Sequence, residues 1–480
     1  MKVHTILRVN NKSDLVFTMQ PMFSWKLIGG KRNLMQKQYA FVVAADSNFE
    51  HVLWQTGRDS NQSSGISVPM GQLLPATRYY ARVQVITNQG TTDWSEPVAW
   101  EDPRTDWQAD WIRPGTVRVG GPKKQKKPYI TKKIFKAEKG NHRAILRLSA
   151  LGMYHARLNG HDISEDYFRP GFTDYNQRVQ YQSYDVTNLL KAENTLTIEV
   201  TEGWYSGLYG WWGARELFGS TNAVICQLEV DGHVLVGTDA SWEQWYGPRQ
   251  YADLYNGEEY DAIAKLEKAG SMVPFPHSKT VLVPQEGPSV RIIKRLKPKK
   301  IFHDSIGNLV LDLGQNIAGW MAFKNQHVKQ DTVTLTHGEV LDQAGNFFRA
   351  NIRAAEAKDT YHLHPNDGRT YQPQFTYHGF RYVKLTGFSD DVALSDFTGV
   401  AISSLQQQTG SFTTDNEKLN RLRDNILWGQ RDNFVEIPTD CPQRDERAGW
   451  TADAQVFMPT ANLNYDTQSQ IILTKFLYRC

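Results

Sequence analysis

Four carboxylates, two arginines and one tryptophan lie within the fourteen residues from Asp440 to Asp453. These residue types suit the cleavage of a sugar bond. A glycosidic oxygen is a poor leaving group, so a carboxylic acid must protonate it. Other carboxylates accept hydrogen bonds from sugar hydroxyls, and an aromatic face covers the apolar side of the ring. The segment is therefore a candidate sugar site.

The spacing within this segment also predicts a helix. With Pro442 in the first helical turn, Glu446, Trp450 and Asp453 follow at positions i, i+4 and i+7 and project from one face. Gly449 in the middle is a weak helix former and counts against this helix.

Each of these residues also has an ordinary interpretation. Asp440 could serve only as a helix cap beside a proline, and residues 444–447 could form a solvated charged turn. A tryptophan such as Trp450 is more often part of a core than a platform for a ligand. The residue types alone leave these alternatives open.

The wording of the motif resembles that of one enzyme family. Asp-Cys-Pro-Gln-Arg-Asp-Glu-Arg at 440–447, followed by Gly-Trp-Thr-x-Asp, resembles the signature of the glycoside hydrolase family 78 α-L-rhamnosidases. Further segments similar to that family follow in the family's order and span nearly the whole chain: Pro170–Tyr175, Tyr184–Thr187, Glu202–Tyr205, Asp312–Trp320, His337–Glu339 and Phe375–Val383.

The resemblance implies inverting hydrolysis of terminal non-reducing α-L-rhamnose. In that mechanism one glutamic acid protonates the leaving oxygen, and a second carboxylate about 6.5 to 9.5 Å away activates water. By match to the motif, Glu446 is the acid. Asp440 and Asp453 match positions that hold rhamnose hydroxyls. Arg444 matches another polar contact, and Trp450 a wall for the ring and its methyl group. The family's base lies in a later segment, so no residue here is assigned to it.

Composition restricts the partners and the compartment. The net charge is +3, from 54 basic and 51 acidic residues, which argues against a nucleic-acid or membrane partner. The lysine run at 123–127 is interpreted as a solvated loop rather than a phosphate clamp. Three cysteines form neither a disulfide framework nor a metal knuckle. The start has no apolar signal region and there is no membrane-spanning apolar run, which predicts a cytoplasmic protein.

Length and hydrophobic alternation predict several domains. Residues 1–105 are predicted as a fibronectin type III-like β-sandwich, in which Tyr39, Phe41 and Val43 alternate toward the core. Residues 106–290 are predicted as a second β-sandwich and residues 291–408 as a third. The predicted fold class is thus multidomain and mainly β, with fibronectin-like and jelly-roll sandwiches. From the resemblance, residues 409–480 are the first helices of an (α/α)6 barrel.

A glycine-rich loop in the second sandwich is a further candidate surface. The segment 202–213 carries Trp204, Tyr205, Tyr209, Trp211 and Trp212 among its glycines. These aromatic residues could lie open, as in a carbohydrate-binding module, or form a hairpin packed against the next domain.

Helical periodicity takes over after Ser411. Thr414 and Glu417 predict a capping box for a helix that runs to about Phe434. Its apolar stripe consists of Leu419, Leu422, Ile426 and Leu427. Residues 470–480 are predicted as another amphipathic helix without a stop signal. A barrel of twelve helices needs on the order of 250 residues, and about seventy follow Ser411. The expectation is therefore a chain that ends within the barrel.

Two functions of different classes remain open. One is a hydrolase acting on rhamnose-containing glycosides, and the other is a non-catalytic rhamnose-binding protein. Another (α/α)6 glycosidase or a phosphorylase is a weaker third interpretation. The chemistry requires no cofactor. Some family members bind calcium in a β-domain, and the motif does not identify its ligands here.

Overall fold

The computed structural model describes residues 2–10, 16–18, 21–69, 77–101, 106–121, 124–138, 140, 142–210, 213–285 and 287–467. Strands predominate and the longer helices lie toward the end of the described chain, so the mainly β prediction is confirmed. Two compact units are present, one built mainly from residues 1–107 and the other from 108–283 and 287–467. Within the described ranges, no helix has the length and apolarity needed to cross a membrane.

The first unit is a β-sandwich of two sheets. Its strands are His4–Val9, Met22–Ile28 and Ile66–Ser67 in one sheet, and Val16–Phe17, Gln36–Ala44, Val52–Arg58, Arg78–Thr87, Gly90–Thr91 and Val98–Glu101 in the other. The alternation predicted at Tyr39, Phe41 and Val43 is confirmed, because all three side chains are buried in a core with Phe23 and Trp100. The domain boundary predicted at residue 105 falls in residues 102–105, which lie outside the described structure.

The second unit begins with a large sheet whose two halves enclose one core. Its strands are Ile112–Pro114, Tyr129–Lys136, Ala144–Leu151, Met153–Leu158, His161–Asp162, Val179–Asp185, Glu193–Thr201, Ala223–Val230, His233–Gly237, Glu243–Tyr246 and Glu267–Pro274. The last of these pairs with both Glu243–Tyr246 and Ile112–Pro114, and so joins the two halves. A further short strand is Leu282–Pro284.

A ten-stranded sheet follows, with its own core around Leu311, Phe323 and Val383. We call it the third sheet because it corresponds to the third predicted sandwich. Its strands are Arg249–Asp253, Gly257–Asp261, Arg291–Leu296, Lys300–His303, Leu309–Lys324, Thr332–Gly338, Lys358–His362, Thr370–Tyr371, His378–Thr386 and Phe397–Ser403. A separate ribbon pairs Val340–Leu341 with Phe347–Phe348.

The first two strands of this sheet come from the residues predicted for the second sandwich. Gly257–Asp261 pairs in parallel with Lys358–His362, and Arg249–Asp253 pairs with Gly257–Asp261. The chain therefore reaches the third sheet and returns to the second well before residue 290. The turn at 253–256 joins these two strands, and so their pairing in the ten-stranded sheet fixes its position.

Three helices occur in the described chain: α1 at Gly203–Ser206, α2 at Glu417–Asp432 and α3 at Thr451–Asn464. Short 3-10 turns lie at Thr187–Leu189, Ala350–Ile352 and Leu394–Asp396, and a ribbon pairs Phe434–Val435 with Ile437–Pro438. The helix predicted after Ser411 is thus present as α2. The helix predicted at 470–480 lies outside the described residues.

The predicted cap of α2 is wrong. The N-cap is Asn416, whose side chain accepts hydrogen bonds from the backbone N–H groups of Lys418 and Leu419. Glu417 is then the first helical residue rather than the third, so it cannot close a capping box with Thr414. Thr414 instead accepts a hydrogen bond from the backbone N–H of Asn416.

The apolar stripe of α2 is only partly covered. Leu427 packs with Leu405 and Phe434 in a small core. The other stripe residues are exposed in the described structure: Leu419, Leu422 and Ile426. The amphipathic pattern predicted the helix correctly, and one of its apolar residues reaches a described core.

Candidate active site

The segment Asp440–Trp450 is an irregular loop between the strand Ile437–Pro438 and helix α3. The helix predicted from Pro442 onward is therefore wrong. Arg447 has a φ of +53°, in the left-handed region that a right-handed helix cannot include. The described structure consequently gives Asp440 no helix to cap.

This loop, α2 and the start of α3 enclose an open cavity of about 460 Å³. The four predicted substrate-binding residues all line it: Asp440, Arg444, Trp450 and Asp453. Ile426 and Phe457 add apolar surface. Pockets for small ligands span about 300 to 1,000 Å³, so the cavity has room for a monosaccharide. The structure thus brings these four residues to one cavity.

Glu446 lies behind the cavity wall and is only 3% exposed. Its Oε2 is 2.8 Å from both Nε and Nη2 of Arg444, and Nη2 of Arg353 lies 3.5 Å away. Its Oε1 accepts a hydrogen bond of 2.7 Å from the indole N–H of Trp450. Both carboxylate oxygens therefore bind nitrogen donors, which fixes the orientation of the carboxylate.

Asp440 is a carboxyl group of the site with a raised pKa. Burial raises its pKa to about 6, and the negative charges of Asp453 and Glu446 add to the effect, while the Arg444 guanidinium opposes it. Like charges around one cavity make the ionised form of Asp440 costly. A carboxyl group with this pKa carries a proton for part of the time near neutral pH.

Segments next to and within the third sheet pack against the loop 440–450 at Gln443. Glu339 interacts with the Gln443 side chain, accepts a hydrogen bond from Asn351, and has a pKa raised by burial. Gly379 packs so closely that a Cβ there would lie 2.9 Å from the backbone nitrogen of Gln443. Glu339 and Gly379 fall in segments that resemble the family, whereas nothing in the sequence indicated Arg353.

The described aromatic residues of the 202–213 loop are buried. Trp204, Tyr205 and Tyr209 are all covered, and the ring of Phe172 lies 5.4 Å from that of Tyr209 and 6.1 Å from that of Trp204. The open, carbohydrate-binding interpretation is therefore wrong for these three residues, because neighbouring aromatic rings cover them. Residues 211–212 lie outside the described structure.

One group of side chains in the described chain has metal-ligand types: His337, Asp359 and His378, all buried. His337 Nδ1 pairs with the carbonyl oxygen of Ala357, and His378 Nε2 with the Asp359 carboxylate. Burial holds the pKa of both imidazoles low, that of His337 at about 3. Calcium takes oxygen ligands, so this group does not fit the calcium site expected of some family members.

Comparison with known proteins finds related domains along most of the chain. Four family models match: a Rha78A-like N-terminal immunoglobulin domain at 5–102, an α-L-rhamnosidase N-terminal domain at 139–294, a bacterial α-L-rhamnosidase concanavalin-like domain at 303–403 and a bacterial α-L-rhamnosidase six-hairpin glycosidase domain at 407–479. The first match describes an immunoglobulin domain where the sequence pattern predicted a fibronectin type III-like one.

Individual relatives agree with these matches. An α-L-rhamnosidase of Streptomyces avermitilis is 42% identical over 356 residues, covering 70% of this chain and 34% of the relative. One from Formosa agariphila is 33% identical over 478 residues, covering 93% of this chain and 52% of the relative. The chain thus spans about half the length, or less, of these curated relatives.

Solved structures extend the likeness to three dimensions. The native α-L-rhamnosidase of Aspergillus terreus superposes with a TM-score of 0.90 at 31% identity, over 99% of this chain and 57% of that one. The Streptomyces avermitilis α-L-rhamnosidase complexed with L-rhamnose gives 0.87 at 26% identity, over 99% and 64%. With the motif, the family models and the fold in agreement, the chain belongs to the α-L-rhamnosidases of glycoside hydrolase family 78.

Proposed function

We propose that this chain provides the sugar-binding cavity and the general acid for hydrolysis of terminal α-L-rhamnose from rhamnosides. The observation that carries the proposal is the convergence of Asp440, Arg444, Trp450 and Asp453 on one open cavity, with the Glu446 carboxylate directly behind it. A relative of similar fold is complexed with L-rhamnose, which supports the choice of sugar.

The cavity walls suit the two faces of rhamnose. Asp440 and Asp453 accept hydrogen bonds from ring hydroxyls, and Arg444 donates one. Trp450, which is 37% exposed, presents its ring to the apolar side of the sugar and its deoxy methyl group. An apolar wall there favours a methyl group over a hydroxyl, because the hydroxyl loses its water partners without replacement.

Glu446 is proposed as the acid that protonates the leaving oxygen. Its Oε2 is bound by Arg444, which itself lines the cavity. A sugar hydroxyl that accepts a hydrogen bond from the Arg444 guanidinium competes with Oε2 for that donor. An inverting reaction also needs a base on the opposite face of the ring. No residue of this chain is proposed for that role.

Asp440 is a second candidate for the acid. It faces the cavity directly, and its pKa of about 6 keeps it partly protonated near neutral pH. Near-neutral pKa values are characteristic of general acids. Replacing the true acid slows hydrolysis of a substrate whose leaving group needs a proton more than that of a substrate whose leaving group does not.

Hydrolysis of an alkyl rhamnoside and of an activated aryl rhamnoside separates these roles. If Glu446 is the acid, Glu446→Gln lowers turnover of the alkyl substrate by about 10²- to 10⁴-fold and spares the aryl substrate, whose leaving group needs no proton. Asp440→Asn then weakens both substrates alike, as loss of a binding contact does. The reverse pattern assigns the acid to Asp440, and equal losses in both variants contradict an acid role for either.

The alternative function is a rhamnose-binding protein without hydrolysis. It is favoured if L-rhamnose binds and neither substrate is cleaved. A cofactor-free reaction, calcium in a β-domain and a cytoplasmic location stay predictions.

A further inference from the structure

The loop that carries Glu446 is anchored to the β domains on the side away from the cavity. The hydroxyl of Tyr255 donates a hydrogen bond of 2.8 Å to the backbone oxygen of Glu446. Arg447 donates from Nη1 to the backbone oxygens of Leu254 and, at 2.7 Å, Tyr377. Two consecutive residues of the loop are thus attached to the turn at 253–256 and to Tyr377, which directly precedes the strand His378–Thr386. We name residues 444–450 the acid loop.

The residues around Arg447 keep its guanidinium buried and its backbone in a left-handed conformation. It is 1% exposed, and its guanidinium lies 4.4 Å from the ring centre of Tyr377 and 5.3 Å from that of Tyr255. Burial lowers its pKa, and its φ of +53° is strained for a residue with a side chain. Such backbone strain persists only where neighbours fix it, and here it directly follows Glu446.

The turn that presents Tyr255 is itself rigid. Asp253 Oδ1 accepts hydrogen bonds of 2.9 Å from the backbone N–H groups of both Tyr255 and Asn256. A second tyrosine acts nearby, because the hydroxyl of Tyr209 accepts a hydrogen bond from the backbone N–H of Gly449. The acid loop is therefore held at both ends by phenolic hydroxyls from the β domains.

We propose that Tyr255 is a positioning residue for Glu446, acting through the backbone of the acid loop. The proposal rests on the proposed acid role of Glu446. Tyr255 contacts the backbone of that residue and does not line the cavity, so it acts on proton transfer rather than on sugar binding. A displacement of a reacting group by about 1 Å can cost on the order of 10²-fold in rate.

Tyr255→Phe tests the proposal because it removes only the hydroxyl. The matched control is Tyr246→Phe. Tyr246 is also 2% exposed, donates a hydrogen bond of 2.7 Å to the backbone oxygen of Thr116 and lies beneath the guanidinium of Arg118. Both variants lose one buried hydroxyl-to-carbonyl hydrogen bond, and only one of those bonds reaches the acid loop.

Two measurements on the whole chain give the result. For Tyr255→Phe we expect kcat on an alkyl rhamnoside to fall about tenfold with little change in KM, and kcat on an activated aryl rhamnoside to fall less than twofold. Amide hydrogen exchange within 444–450 should become faster. Tyr246→Phe should change neither measurement. Equal losses on both substrates, or exchange no faster than in Tyr246→Phe, overturn the positioning role.

Amide hydrogen exchange also distinguishes failure of this proposal from failure of the proposed function. If the wild-type chain cleaves neither substrate, the hydrolase proposal fails, and faster exchange in Tyr255→Phe alone still establishes the anchor. If Tyr255→Phe does not fold, Tyr209→Phe replaces it with the same expected exchange at the other end of the loop. Unchanged exchange in that variant overturns the proposal.

Discussion

Two loops of this protein look alike in sequence and differ in the structure. The acid loop and the 202–213 loop both combine glycine, tryptophan and charged residues. Trp450 of the first is 37% exposed and lines a cavity, whereas Trp204 of the second is 2% exposed. One loop presents its aromatic ring to a ligand-sized space, and the other uses its rings as packing.

The neighbours of each loop explain the difference. Trp204 lies in a one-turn helix, where Phe168 and Phe172 pack edge-on against its ring. Trp450 immediately precedes α3, and its indole N–H is bound to Glu446 beside the cavity. Aromatic composition therefore indicates a sugar surface only where charged side chains hold the ring beside open space.

The largest effect expected from this contrast is on stability. Trp204→Ala removes a fully buried side chain and should lower the free energy of unfolding by about 3 to 5 kcal/mol. Trp450→Ala removes a partly exposed ring and should cost about 1 kcal/mol or less. Denaturant titration of both variants measures the difference. Similar losses in the two variants would show that Trp450 is also structural.

A smaller effect is expected where Gln443, which precedes the acid loop, packs on the third sheet. Gly379→Ala places a Cβ against the backbone of Gln443, which should cost about 1 to 3 kcal/mol and weaken L-rhamnose binding. Gly287→Ala is the control, because a Cβ there meets no atom within 4 Å. Calorimetry with both variants compares them. Unchanged rhamnose affinity in Gly379→Ala would mean that the loop tolerates displacement.

The smallest effect concerns charge, which residues 440–453 concentrate and the 202–213 loop does not. Folding raises the pKa of Asp440 from 3.8 to about 6, so the folded protein prefers the protonated form. Its contribution to stability is present at pH 3.5 and is lost as pH rises toward 6. Asp440→Asn should therefore gain on the order of 1 kcal/mol over wild type at pH 7 and nothing at pH 3.5. A gain that is equal at both pH values would contradict the raised pKa of Asp440, which burial and then the charges of Asp453 and Glu446 cause.

Sequence predicted the features that depend on local pattern. Alternation at Tyr39 and Phe41 and the helix α2 follow from neighbours in the chain, whereas the cavity residues were named from the resemblance of the motif. The acid loop was mispredicted as a helix, because the contacts that hold Arg447 in a left-handed conformation come from Leu254 and Tyr377, which are distant in the chain. Tyr255 and Glu446 are 191 positions apart, so no spacing rule connects them.

The sequence alone left undecided whether Trp204 is buried, for the same reason. Its covering residues, Phe168 and Phe172, precede it by more than thirty positions. The sequence pattern identified both loops as aromatic and glycine-rich. Only the tertiary contacts distinguish a ligand surface from a packed one.

Titration with L-rhamnose and L-mannose determines whether the cavity beside Trp450 binds L-rhamnose through an apolar wall. These sugars differ only by the 6-hydroxyl, which an apolar wall leaves without a partner. We expect L-rhamnose to bind more tightly by roughly 1 to 3 kcal/mol, and Trp450→Ala to abolish that preference. Equal affinity of the wild-type chain for the two sugars, or a preference that survives Trp450→Ala, would show that Trp450 does not form the wall against the methyl group.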